Sequence, residues 1–206
     1  MKVIVSIVAV GLAGAAFVIL KAPGRALMRS DAARTDTNAD LATVNKTPLK
    51  LPLVEPRIEV SKSKRELVLY SAGEVVRVYR IGLGSNPKPD KVRQGDGCTP
   101  EGEFYVCSKN PKSSYYLSLG LSYPNEEDAE RGHREKLISK GQRDQIVRAI
   151  RRQTCPPWNT KLGGEVFIHG NGSSSDWTLG CVALDNENVK ELFGVIPKGT
   201  RVKIRP

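Results

Sequence analysis

Gly164-Glu165-Val166-Phe167-Ile168-His169-Gly170-Asn171-Gly172-Ser173-Ser174-Ser175-Asp176-Trp177-Thr178-Leu179-Gly180-Cys181-Val182-Ala183-Leu184 is the stretch on which the fold turns. Residues 164–169 form a short apolar run that ends on a histidine and a glycine. Asn171 to Asp176 is a Gly/Ser loop, and Gly180 to Leu184 is a second short apolar run. Two brief strands joined by such a loop belong in a sheet, where they can be neighbours. His169 ends the first strand and Cys181 opens the second. A strand end that gives onto a flexible loop is where side chains face a cleft. An imidazole beside the sulfur would raise the thiolate fraction of a thiol whose ordinary pKa is about 8.5. On residue types alone, a structural cysteine and a satisfied core histidine account for the pair at least as well.

The flanking sequence continues the β texture. Asp185 is placed to cap a helix whose apolar face is Val189, Leu192 and Phe193. Pro197-Lys198-Gly199 turns into a last strand, Thr200 to Arg205. Upstream, Ile58 and Val60, then Leu67 and Leu69, alternate with polar residues. Ala72-Gly73 makes a tight turn into a strand over Glu74 to Gly82. Residues 82–102 hold two turn-rich loops. Strands follow over Glu103 to Ser108 and, more weakly, Leu117 to Tyr123. Residues 125–152 are charged, with Ile146, Ala149 and Ile150 at helical spacing. They predict one or two amphipathic helices packed on a sheet, with Arg143, Arg148, Arg151 and Arg152 on the solvated face. The fold class is mainly β: a two-layer β-rich fold with a few short helices.

The chain has 206 residues, 39% hydrophobic and 26% charged, with a formal charge of +10. This is room for one ordinary core and additional segments. A basic excess suits an anionic neighbour. The aromatic interleaving of single-stranded nucleic-acid grooves is missing, and nucleic acid is not an expected partner. Val3 to Leu20 is uninterrupted by charge and bounded by Lys2 and Lys21. As a helix it would be roughly 27 Å long, close to a bilayer's hydrocarbon thickness. Residues 1–21 therefore read as a signal anchor or signal peptide. The anchor is favoured because no A-x-A site precedes Lys21. Residues 22–52 lack apolar periodicity and read as a flexible tether, with a reach on the order of 30 Å. The domain is expected over 53–206.

Four cysteines, at 98, 107, 155 and 181, and two histidines are available. Their spacing does not fit paired zinc ligands, so no metal is expected, and no cofactor. His133 lies in a charged helical stretch and reads as a surface residue. If Cys181 stays reduced, three thiols remain, enough for at most one disulfide. Cys155 can pair with Cys98 or with Cys107, and the sequence does not choose.

Phe167-Ile168-His169-Gly170 followed by Thr178-Leu179-Gly180-Cys181-Val182-Ala183-Leu184 resembles the catalytic signature of the L,D-transpeptidase (YkuD-like) family. Lys91, Gly95-Asp96-Gly97 and Thr99-Pro100-Glu101-Gly102 resemble an upstream block of that family, as do the hairpin at Ile58 to Tyr70 and Leu121-Ser122-Tyr123-Pro124-Asn125. The resemblance runs over 56–205 in the family's order. It implies a β-rich sandwich with the cysteine in a groove, and a two-step acyl transfer on peptidoglycan peptide stems. Cys181 would be the nucleophile, His169 its base, and the Gly170 carbonyl the group orienting the imidazole. The backbone N–H groups of Gly180 and Cys181 would hold the oxyanion. Asn171, Ser175, Trp177 and Thr178 are the candidate substrate contacts.

Two positions depart from the commoner family pattern. Leu179 stands where a second histidine is usual, and Ala183 where an arginine is usual. His169 is then the sole local base, and the means of holding a substrate carboxylate is open. An L,D-carboxypeptidase, or a hydrolase of a protein–peptidoglycan linkage, would use the same acyl-enzyme. An inactive membrane-tethered peptidoglycan-binding module is the competing class. Peptidoglycan stems and, through residues 3–20, the cytoplasmic membrane are the expected partners. The location implied is the cell envelope, on the periplasmic or extracytoplasmic face. A thiol activated by His169 should also be alkylated selectively at mildly acidic pH.

Overall fold

The computed structural model describes residues 44–206. The expected membrane segment at residues 3–20 and most of the tether lie outside the described residues. Among the described residues, no helix is long and apolar enough to cross a membrane.

The chain opens with β1 (Arg57–Ser61), β2 (Glu66–Ser71) and β3 (Glu74–Arg80). Each has the alternation expected of a half-buried strand, with Ile58, Val60, Leu67, Leu69 and Tyr79 inside. Ala72 and Gly73 both have positive φ, the geometry of a tight hairpin turn between β2 and β3. β4 (Gly102–Ser113) and β5 (Tyr116–Leu121) follow as a long hairpin. After the helices come β6 (Phe167–His169), β7 (Val182–Ala183) and β8 (Arg201–Arg205). They form one eight-stranded ladder in the order β3-β2-β1-β8-β4-β5-β6-β7. The first half of β4 pairs with β8 and its second half with β5. β4 thus carries the ladder from one half of the sheet to the other. Residues from both halves, among them Val60, Val202, Phe104, Leu119 and Ile168, share one core cluster. The ladder then closes on itself. Just past β3, Gly82 and Ala183 exchange hydrogen bonds of 2.9 and 2.8 Å.

The charged segment forms two helices, α1 (Glu126–Arg134) and α2 (Lys140–Arg151), each opened by a reciprocal capping box from Asn125 and Ser139. They do not pack on the sheet as expected. Ala129, Ile138, Ile146 and Leu162 form a small core of their own, separate from that of the sheet. The apolar stripe is too narrow for more, and half-buried Ile150 only borders this cluster. His133 is half-buried, with Nδ1 3.4 Å from the Ile138 carbonyl. A disulfide joins Cys107 in β4 to Cys155 just beyond α2.

α3 (Asn186–Val195) buries Val189 and Leu192 and packs on β5. Asp185 occupies its N-cap position but makes no capping hydrogen bond. Its carboxylate instead accepts from the Ser173 N–H at 3.0 Å and hydroxyl at 3.1 Å, fixing the loop before Cys181. On the outer edge of β3, the Asn45 side chain pairs with both backbone groups of Val78.

Candidate functional site

β6 and β7 are parallel neighbours, with Ile168 opposite Val182 and His169 opposite Ala183. Ile168 and Val182 point into the core. By strand alternation, His169 and Cys181 therefore belong to the other face. Both line a cleft of about 680 Å³ with Lys91, Glu165, Tyr115 and Trp177 among its walls.

The histidine is fixed on three sides. Its Nδ1 lies 2.8 Å from the Gly170 carbonyl. A carbonyl can only accept, so Nδ1 carries the proton and Nε2 keeps its lone pair. Tyr115 stacks on the ring at 4.6 Å between centroids, and Trp177 meets it edge-on at 5.5 Å. Tyr115 comes from the β4–β5 turn, and its carbonyl accepts the Gly170 N–H at 3.0 Å. Burial pushes the imidazole pKa down, against a smaller opposing effect of the Gly170 carbonyl.

The thiol is held between backbone groups of the strand before His169. It accepts the Phe167 N–H at 3.4 Å and donates to the Glu165 carbonyl at 3.5 Å. Burial pushes its pKa up and Glu165 adds to this, while the Phe167 N–H and Lys91 act the other way. The resting pair at neutral pH is thus a thiol and a neutral imidazole. The expectation of a thiolate reactive in mild acid is corrected by this burial.

The cysteine loop is built by the upstream motif. Lys91, only 3% exposed, pairs with Asp96 at 2.7 Å and donates to the Arg93 carbonyl. Burial opposes ionisation of Asp96, but Lys91 and the N–H groups of Arg93, Val92 and Cys98 hold its pKa below the usual value. The loop so ordered brings the Cys98 carbonyl against Gly180. Gly180 has φ +134°, and a Cβ there would lie 2.6 Å from that oxygen. Thr178 closes the turn: its hydroxyl accepts the Gly180 N–H at 3.1 Å and donates to the Cys181 carbonyl at 2.8 Å. The Gly180 N–H is therefore engaged and is not the oxyanion donor expected. Of the expected pair, the Cys181 N–H is the one that this hydroxyl does not hold.

The four candidate substrate contacts divide. Trp177 and Thr178 line the cleft. Asn171, at φ +75°, turns away toward α3, and its N–H bonds the Asn186 side chain. Ser175 lines a separate cavity against β2 and β3. It is carried there because Asp176 is clamped by Arg65 at 2.7 Å and by the Leu83 N–H at 3.0 Å. Tyr115 was not foreseen. It is placed by the pairing of Ser118 with His169 and has no local signal in sequence.

Residues 55–204 match the YkuD L,D-transpeptidase catalytic domain. The chain belongs to this family. YafK of Escherichia coli strain K12 is 29% identical over 143 residues, covering 66% of this chain and 45% of YafK. The chain thus spans less than half of that relative's length. YqjB of Bacillus subtilis strain 168 is 28% identical over 156 residues, covering 73% of this chain and 71% of YqjB. Among solved structures, the helical cell shape determining protein Pgp2 (K307A mutant) of Campylobacter jejuni is 25% identical, with a TM-score of 0.50. That match covers 76% of this chain and 48% of Pgp2. In this L,D-transpeptidase-family domain, the expected mainly β fold with short helices is observed.

Proposed function

We propose that this domain carries out cysteine-dependent acyl transfer on peptidoglycan peptide stems. The observation that carries the reading is the placement of Cys181 and His169 on one face of adjacent parallel strands, with Nε2 unprotonated and both side chains in one cleft. For attack, the thiol turns from the Glu165 carbonyl toward the imidazole. Sγ bonds to the carbonyl carbon at the L-centre of the third stem residue, and its proton passes to His169 Nε2. The Cys181 N–H is available to the oxygen as it becomes negative. The C–N bond to the terminal D-residue then breaks, and His169 returns the proton to the leaving amine. A thioester remains. In the second step an amine or water attacks the thioester carbon and gives its proton to His169, which restores the thiol.

The neutral resting pair suits this sequence, since proton transfer accompanies attack rather than preceding it. Residues 3–20 would hold the domain at the outer side of the cytoplasmic membrane, within reach of nearby wall. Fractionation that found the mature protein soluble and starting near residue 22 would remove the anchor from the proposal.

The deciding assay incubates the chain and its Cys181→Ala variant with muropeptides bearing tetrapeptide stems. Cys181-dependent loss of the terminal residue is the expected result. Crosslinked dimers identify a transpeptidase, and tripeptides alone an L,D-carboxypeptidase. Unchanged stems, with no thioester adduct on Cys181, would refute the assignment on stems.

A further inference from the structure

The cleft has a direction. Register extension places Cys181 opposite Phe167, with His169 two residues along in one sense and Glu165 two residues in the other. At extended spacing His169 lies about 6–7 Å along the strand from the nucleophile's level, while Glu165, just before β6, has its carbonyl 3.5 Å from the sulfur on the opposite side. His169 must protonate the leaving amine, so the departing residue lies on the His169 side. The side chain of the acyl-donor residue is then free to run toward Glu165.

Glu165 is unlike the other charges there. It is the one carboxylate on the cleft wall among the described residues. It takes part in none of the ion pairs among them. Lys91, the cleft's basic side chain, is already neutralised by Asp96. The residue is exposed, and it has φ +54°, a left-handed conformation that is strained for a non-glycine residue. That backbone conformation also presents its carbonyl to the thiol. The cleft therefore offers one uncompensated negative charge beside the nucleophile and no uncompensated cation.

We propose that Glu165 determines donor specificity, its carboxylate binding a primary ammonium on the side chain of the acyl-donor residue. This rests on the acyl-transfer reading above. A diamino acid with a four-carbon stem carries its ammonium on the order of 6 Å from Cα, a reach that suits a carboxylate on the same cleft wall as the nucleophile. The stem's own carboxylates find no counter-charge here, consistent with Ala183 in place of arginine.

The test uses the Cys181→Ala chain, so that binding is read without turnover. Calorimetry compares tetrapeptide stems with L-lysine or Nε-acetyl-L-lysine at the third position. The lysine stem should bind about tenfold more tightly, less so in added salt. Glu165→Gln in the same background should erase the preference, and Glu165→Asp should retain part of it. Equal or undetectable affinities, or a preference that survives Glu165→Gln, overturn the assignment. A parallel arm measures thioester mass on the chain with Cys181 intact. A binding preference without any adduct rejects acyl transfer and leaves the role of Glu165 standing. Adducts from both stems without a preference reject Glu165 alone.

Discussion

At Cys181 the alkylation rate follows the thiolate fraction, and burial raises the thiol pKa above its ordinary value. Iodoacetamide labelling is therefore expected to be slow in mild acid and to climb about tenfold per pH unit well into the alkaline range. His169→Ala should leave that profile in place, because a neutral imidazole gives the resting thiol no charge partner, yet abolish thioester formation. As the base of the proposed reaction, His169 would work only when deprotonated, and its pKa is depressed. Acylation is thus present above that pKa and lost as pH falls through it, at a pH below the ordinary imidazole value of 6.5. A pH profile centred above that value would contradict the tautomer and burial described. Thr178 gives a second residue-scale prediction. Thr178→Val keeps the shape but strands the Gly180 N–H and the Cys181 carbonyl, both satisfied by one buried hydroxyl. The expected cost is about 1–3 kcal/mol in urea unfolding, with a slower acylation step. That His169 and Cys181 share a cleft was legible through the motif's resemblance to the family, since residue type and spacing alone left a structural pair equally open. The direction of the thiol pKa was not legible, because the burial that raises it belongs to the folded state.

Among the elements, the strands with clean alternation, β1 to β3 and β8, were legible. The outer half of β4 was not: Lys109-Asn110-Pro111-Lys112 reads as loop, and only pairing with β5 makes it a strand. The turn it supports carries Tyr115 to His169, so the missed residue and the missed strand have one cause. The partner of Cys155 was open for a similar reason. Geometry selects Cys107, and Cys98 remains a buried free thiol beside the Asn86 amide. The Cys107–Cys155 bridge closes a loop over a sequence separation of 48 and ties the helical pair to β4. Replacing both cysteines with serine should lower stability by about 2–4 kcal/mol. Acylation by the folded fraction should persist, since neither sulfur borders the cleft. A melting curve identical to the parent's would show that the bridge adds nothing.

For the molecule as a whole, one buried amine ties distant segments together. Lys62, 2% exposed, donates to the carbonyls of Lys88, Pro89 and Thr99 and pairs with Glu101 at 2.7 Å. It spans from the end of β1 to the motif that shapes the Cys181 turn. Lys62→Met should cost about 3–5 kcal/mol, because the carboxylate and carbonyls keep their burial and lose their donor. It should also slow acylation more than it weakens stem binding, since the disturbed segment lies behind the nucleophile. Loss of stability without any change in acylation would uncouple the two. No local pattern announces such a lysine, as its partners lie far along the chain.

Closure of the ladder has a kinetic consequence. The hydrogen bonds between Gly82 and Ala183 join parts of the chain about a hundred residues apart, and contacts of such separation are slow to form. The sulfur stands two residues from that seam. A truncated, clipped or half-assembled copy therefore has a cysteine but no machinery around it. If the proposed function holds, an incompletely folded chain would be inert until this seam has closed.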